Sequence, residues 1–179
     1  MLFRVPIRVE ELTAFAVAVL EEVGLARGAA AEAADTLVTT DTWGVFTHGT
    51  KNLRGYVRRL RAGGLDPRAT PVVTHQGPAW AMIDGRSGLA MNTSVFAMRT
   101  AIAKARSTGI GFAGVRNSCH FGAAGYYARL AADEGLIGLA MANDIPSVTA
   151  PGARGAVLGS NPLAYAIPHE PGQIGRAHV

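Results

Sequence analysis

One stretch constrains this chain more than any other: Gly109–Tyr127, GIGFAGVRNSCHFGAAGYY. Ile110, Phe112, Ala113 and Val115 form a short apolar run, the pattern of a strand buried on both faces. Arg116, Asn117, Ser118, Cys119 and His120 interrupt it with groups that can bond or react. The run from Gly122 to Gly125 then opens a helix with almost no side-chain bulk. A helix start offers unsatisfied N–H groups and partial positive charge, and both attract phosphate. Small residues let a ligand approach that backbone. A histidine at the same turn can exchange a proton near neutral pH. Strand, polar turn and helix in that order predict an α/β fold.

The rest of the chain is long enough to build a core around this unit. It has 179 residues, of which 49% are hydrophobic, and a composition of that kind folds rather than staying disordered. No apolar run is long enough to span a membrane, and the start lacks the basic-then-apolar order of a signal peptide. The single cysteine excludes an internal disulfide framework. These features set a cytoplasmic location as the expectation. The net charge is +4 and the basic residues are nearly all arginine. Aromatics are sparse and not interleaved with the arginines, so no nucleic-acid partner is expected.

Taken in order, residues 9 to 23 read as a helix, with Leu12, Phe15, Ala16, Val19 and Val23 on one stripe and Gly24 as the stop. An alanine-rich helix is predicted from about Ala29 to Asp41. TWGVFTHG, residues 42–49, reads as a polar turn. A third helix, about Thr50 to Ala62, buries Leu53, Val57 and Leu60 and carries Lys51, Arg54, Arg58 and Arg61 on a basic stripe. That stripe is either a solvated face or an attractor for an anionic substrate or cofactor phosphate. Lys51 and Arg54, nearest His48, are its candidates for contact. A loop is predicted from Asp66 to about Pro78, a strand over Ala79–Asp84 and a turn over Gly85–Gly88. A long helix follows from about Met91 to Ser107, with Val95, Met98, Ile102 and Ala105 on one face, and a second buried strand spans Leu136–Met141. A composition shift near Asp66 divides the chain into a helical segment, 1–66, and an α/β part, 67–172.

Residues 173–179, QIGRAHV, read differently. With the codons CAG ATC GGA AGA GCA CAC GTC they spell a common sequencing-adapter read. The expectation is a foreign tail, with the natural chain running on beyond about Gly172 and His178 without a functional role.

Gly109-Ile110-Gly111-Phe112-Ala113-Gly114 matches GxGxxG by letter, and Asp133 follows at a suitable distance. The dinucleotide fingerprint must follow a strand and open a helix. Here the glycines follow a helix and enter a strand, so a helix C-cap before a thin strand is the reading. His48, after Thr47 at a turn, is either a structural histidine or a proton-transfer group. His120 sits in a denser polar cluster. Cys119 reads as a small apolar filler, with a nucleophile paired to His120 as the alternative. The spacings of His48, His75, Cys119 and His120 fit no compact metal motif, and His75 reads as an exposed loop residue. Asn161-Pro162 marks a tight turn that either contacts a ligand or only reverses the chain.

Together, Asp41–Gly49, Tyr56, Gly63-Gly64, Val115–Tyr127 and Gly159–Ala164 resemble the type 2 malate/L-lactate dehydrogenases, a family that includes ureidoglycolate and sulfolactate dehydrogenases and piperideine-2-carboxylate reductase. The matches follow family order and cover nearly the whole chain up to Pro168. The resemblance implies a non-Rossmann α/β fold of which the C-terminal half is missing here. It implies NAD- or NADP-dependent oxidation of a 2-hydroxy acid, or reduction of the 2-oxo acid or cyclic imine, in a homodimer whose sites draw on both subunits. His48 falls at the family's acid/base histidine and Thr47 where a serine orients it. His120, Phe121, Gly122, Ala123 and Ala124 match a cofactor-contacting helix start, and in some members the histidine at the His120 position is the proton acceptor instead. Asn143 and Asp144 fall at another cofactor turn, while Tyr56 and Asn161 match substrate-contacting positions.

Three departures bear on these implications. Asn52 stands where members often carry a carboxylate-binding arginine, so Lys51 or Arg54 would have to substitute. Asp144 replaces a hydroxyl residue beside the cofactor. The aspartate-containing segment that supports the catalytic histidine would lie just past Pro168. A catalytically inactive binding or assembly protein of the same fold is the alternative, resting on Asn52. A hydrolase using Cys119 and His120 is a further one.

Overall fold

The computed structural model describes residues 6–169 and the backbone of residues 175–178. The elements are α1 (Val9–Glu22), α2 (Arg27–Thr42), a 3-10 turn (Thr50–Asn52), α3 (Leu53–Arg61), β1 (Val72–Gln76), β2 (Trp80–Asp84), α4 (Ala90–Thr108), β3 (Phe112–Arg116), α5 (Ala124–Asp133), β4 (Gly138–Met141), β5 (Leu163–Ile167) and β6 (Gly175–His178). They form two compact units that divide in sequence between Ala123 and Ala124.

In the first unit the helices share one core. Ala30, Ala33 and Ala34 of α2 are fully buried, and residues that small let α1 come close. Ala16, Leu20, Leu37, Leu53, Tyr56, Leu60 and Met91 fill the cluster. On α1 the buried positions are Ala16 and Leu20, so the stripe is rotated from the expected one, and Phe15 is left 60% exposed. The composition shift near Asp66 falls inside this unit. Leu89 and Met91 enter the helical core, and the Asn92 side chain donates to Ala29 O at 3.0 Å and to Glu32 at 2.9 Å. Those contacts tie the start of α4 to α2.

The sheet of this unit has the order β1-β2-β3. β1 pairs antiparallel with β2, and β2 pairs parallel with β3 in the register Trp80↔Phe112 to Asp84↔Arg116. A parallel pair needs a crossover, and α4 provides it. Two expectations are corrected here. The predicted loop over 66–78 contains a strand, β1, so His75 lies on an edge strand, although exposed. Pro71 and Gly77-Pro78 bracket it so closely that turn signals outweigh the β-branched residues between them. The apolar run of β3 is covered on one face only: Phe112 is 58% and Ile110 69% exposed. In the neighbouring strand Ala81 and Ile83 are buried while Trp80 and Met82 are open. A short apolar run has the same letters whether one or both faces are covered.

The GxGxxG glycines serve packing. Gly109 (φ 85°) caps α4, its N–H donating to Ala105 O. A Cβ on Gly111 would lie 1.9 Å from Ala101 O, so only glycine lets the strand touch the helix there.

The second unit packs α5 on the antiparallel sheet β4-β5-β6. Ala128, Ala131 and Ala132 of the helix and Ala140, Ala164 and Ala166 of the sheet are buried. The other face carries Leu139, Met141, Leu163 and Ile167, all exposed, so β4 too is covered on one side rather than fully buried. Residues 175–178 of the expected tail form strand β6 against β5, and the remainder of 173–179 lies outside the described residues.

Candidate active site

The turn between α2 and α3 is fixed before any chemistry is considered. Val45 N–H donates to Thr40 O and His48 N–H to Val45 O. The Asp41 carboxylate, from the end of α2, accepts the Thr50 N–H at 3.0 Å and the Thr50 hydroxyl. It caps the 3-10 turn that leads into α3. A Cβ on Gly49 would sit 1.8 Å from Asp41 Oδ1, so glycine is what admits the carboxylate. The Asn52 amide then donates to Thr47 O at 2.7 Å. Sequence reasoning did not single out Asp41, because a cap nine residues from its partner follows no helical spacing.

His48 stands on this turn, half-buried, with Thr47 Oγ1 2.9 Å from its Nδ1. His120 arrives from the loop after β3. That loop is held at its root by Asp84, which accepts from the Arg86 N–H at 2.8 Å and the Asn117 amide at 2.9 Å and pairs with Arg116 at 3.2 Å. The Arg86 amide first, then Asn117, keep the Asp84 carboxyl below the usual carboxylate range. The result brings the two imidazoles together: the His48 and His120 ring centroids are 5.7 Å apart, tilted by 32°. Tyr56 of α3 joins them. Its hydroxyl lies 2.6 Å from His120 Nδ1, and its ring stacks on that imidazole at 6.1 Å. Tyr56 is only 3% exposed, and burial raises its phenol pKa well above the usual range, with Cys119 adding to the rise and Arg59 opposing it.

Cys119 is half-buried against the helical core, and burial raises its thiol pKa. A protonated, packed thiol is the filler expected. Phe121 is half-buried, and Gly122, Ala123 and Ala124 are buried. The helix begins at Ala124, with Gly122 at φ 77° before it. The expected helix start over Gly122–Gly125 thus falls two residues later, at Ala124.

Lys51 and Arg54 are exposed and, with Asn52, Gly55 and Arg58, line a cleft of about 350 Å³. Helical spacing puts this cationic face of α3 away from the one that carries Tyr56. Tyr56 sits on the buried face with Leu53 and Leu60, both buried as expected, and Val57 packs half-buried against the same core. In the second unit, the Asp144 carboxylate accepts from Ser160 Oγ at 2.9 Å, Ile145 N–H at 2.8 Å and Ser147 Oγ at 3.3 Å. Asn161 Oδ1 accepts the Asp144 N–H at 2.9 Å. The Ser160 hydroxyl foremost holds the Asp144 pKa below its ordinary value. Asn143 is exposed at the same turn. No group of three or more metal-ligating side chains occurs among the described residues.

Within an α/β frame the structure faces one hydroxyl-backed imidazole with another. The chain belongs to the malate/L-lactate dehydrogenase family, whose family model matches residues 7–174. It is 42% identical over 159 residues to the malate dehydrogenase of Pyrococcus abyssi, covering 89% of this chain and 44% of that one. It is 36% identical over 148 residues to the L-sulfolactate dehydrogenase of Methanocaldococcus jannaschii, covering 83% and 43%. The solved malate dehydrogenase of Pyrococcus horikoshii superposes with a TM-score of 0.94 at 38% identity, over 98% of this chain and 50% of the other. The chain thus spans about half the length of the relatives it matches, and its fold is theirs over that half.

Proposed function

We propose that this chain is the N-terminal half of an NAD- or NADP-dependent oxidoreductase that moves a hydride between a 2-hydroxy acid, of the malate or lactate kind, and the nicotinamide. The observation that carries the reading is the His48–His120 pair at 5.7 Å, each ring held at Nδ1 by a hydroxyl. Relatives described as malate dehydrogenase, sulfolactate dehydrogenase and piperideine-2-carboxylate reductase support the substrate class. The names share a reaction at the carbon next to a carboxylate.

The donor set fits a nicotinamide cofactor in part. The exposed Asp144 carboxylate, with Asn143 beside it, offers acceptors of the kind a ribose hydroxyl needs. The Gly122–Ala124 run at the start of α5 would offer backbone N–H groups to a cofactor phosphate, and His120 and Phe121 precede it. When bound, the nicotinamide supplies the hydride acceptor. The residues of this chain supply proton transfer and attraction of the substrate. Thr47 is exposed, so its hydroxyl can donate to water while accepting from His48 Nδ1–H. That leaves the lone pair on His48 Nε2 to take the proton of the substrate hydroxyl. The cationic cleft of Lys51, Arg54 and Arg58 draws the anionic substrate towards this part of the surface. Asn52, engaged with Thr47 O, serves the turn rather than the carboxylate. Asn161 orders the Asp144 turn through its side-chain oxygen.

In this reading the active species is a cytoplasmic homodimer of chains as long as the relatives. The test is nicotinamide absorbance across a panel of 2-hydroxy and 2-oxo acids. The 179-residue chain is expected to be silent and a chain of the relatives' length to turn over at least one acid. Turnover by neither, with intact folding, would favour a binding protein of the same fold. Turnover by the 179-residue chain alone would remove the need for a second half.

A further inference from the structure

The two imidazoles look equivalent by distance, but their hydroxyl partners differ in one respect. Thr47 is exposed and Tyr56 is 3% exposed. A hydroxyl that accepts a hydrogen bond must still place its own proton. Thr47 can give that proton to water. Tyr56 is sealed in the helical core beside Leu53, Leu60 and Cys119, and among the described residues its hydroxyl has His120 Nδ1, at 2.6 Å, as hydrogen-bond partner. Were Nδ1 to carry the hydrogen, the phenol proton would be buried without an acceptor, which is costly. With the phenol donating, both groups are satisfied by one short bond.

We infer that Tyr56 is a positioning residue that locks His120 as the Nε2–H tautomer, so that the two histidines cannot exchange roles. The neutral ring of His120 then has its lone pair on Nδ1, tied to the phenol, and a hydrogen on Nε2. With Nδ1 tied to the phenol, the other ring nitrogen of the neutral form is a donor and not a base. The tautomer follows from burial and geometry alone. Its chemical consequence rests on the reading above: His48 Nε2 accepts the hydroxyl proton and becomes imidazolium, while His120 Nε2–H donates to the substrate oxygen and keeps its hydrogen. The proton leaves His48 for water, and no electron is required of either ring.

The experiment is a long-range proton–nitrogen NMR spectrum of the ¹⁵N-histidine-labelled 179-residue chain, at a mildly alkaline pH above the range of an ordinary imidazole. His120→Gln and His48→Gln assign the signals. The expected result is a pyridine-type Nδ1 and a pyrrole-type Nε2 for His120, in a single form. In Tyr56→Phe, which keeps the packing ring, His120 is expected to relax to a mixture while His48 is unmoved. A hydrogen on Nδ1, or a tautomeric average, in the unsubstituted chain would overturn the inference, as would a His120 signal unchanged by Tyr56→Phe. Because the spectrum needs no turnover, its failure leaves the dehydrogenase reading standing, and loss of that reading leaves the tautomer standing.

Discussion

His48 owes its position to residues that do no chemistry. Asp41 caps Thr50, Gly49 makes room for the carboxylate, and Asn52 ties Thr47 O. His120 owes its position to Asp84 and, at the ring itself, to Tyr56. This phenol also gives a pH signature. Its pKa is raised in the folded chain, while unfolding returns it to about 10. Below that value both states are protonated and the contribution of Tyr56 is complete. Above it the unfolded chain ionises first, so stability falls with rising pH, by up to about 1.4 kcal/mol per unit. Urea midpoints compared between about pH 9 and pH 11 should therefore drop more steeply for the unsubstituted chain than for Tyr56→Phe. Parallel slopes would place the phenol outside the core. At this scale the sequence disclosed the histidines, because each stands in a polar turn, His48 before Gly49 and His120 two residues before Gly122. It did not disclose that Tyr56 and His120, 64 residues apart, would bond, since nothing local encodes a contact at that separation.

Among the elements, helices were the most legible. Glycine stops and apolar spacing mark α1 and α4 within a residue or two, the third helix opens with a 3-10 turn before α3 begins at Leu53, and β1 was lost between Pro71 and Gly77. The strands show what periodicity leaves open. β4 and β5 alternate alanine or glycine under α5 with Leu139, Met141, Leu163 and Ile167 outside. Both faces read as apolar, yet only the alanine face is packed. The two faces should therefore respond differently to substitution. Leu139→Lys, at a residue 54% exposed, is expected to shift stability by no more than about 0.5 kcal/mol and to lower the binding of an apolar dye. Ala164→Leu, at a fully buried position, is expected to cost about 1–3 kcal/mol by overpacking. Denaturant melts of both variants check this, and equal losses would mean that both faces are covered.

At the scale of the whole molecule, the chain is two units that together span about half of its relatives. Composition pointed to a boundary near Asp66, but a core is defined by what packs, and Leu89 and Met91 belong with the helices. The family was legible from motif order. The pairing of the imidazoles came only with the fold. The measurement that bears most directly on the proton-transfer account is the ratio of nicotinamide-linked turnover between the unsubstituted protein and His48→Ala, in a chain of the relatives' length. The account predicts a loss on the order of 10²–10⁴ with the fold intact. An unchanged rate would contradict it and take His48 out of the reaction.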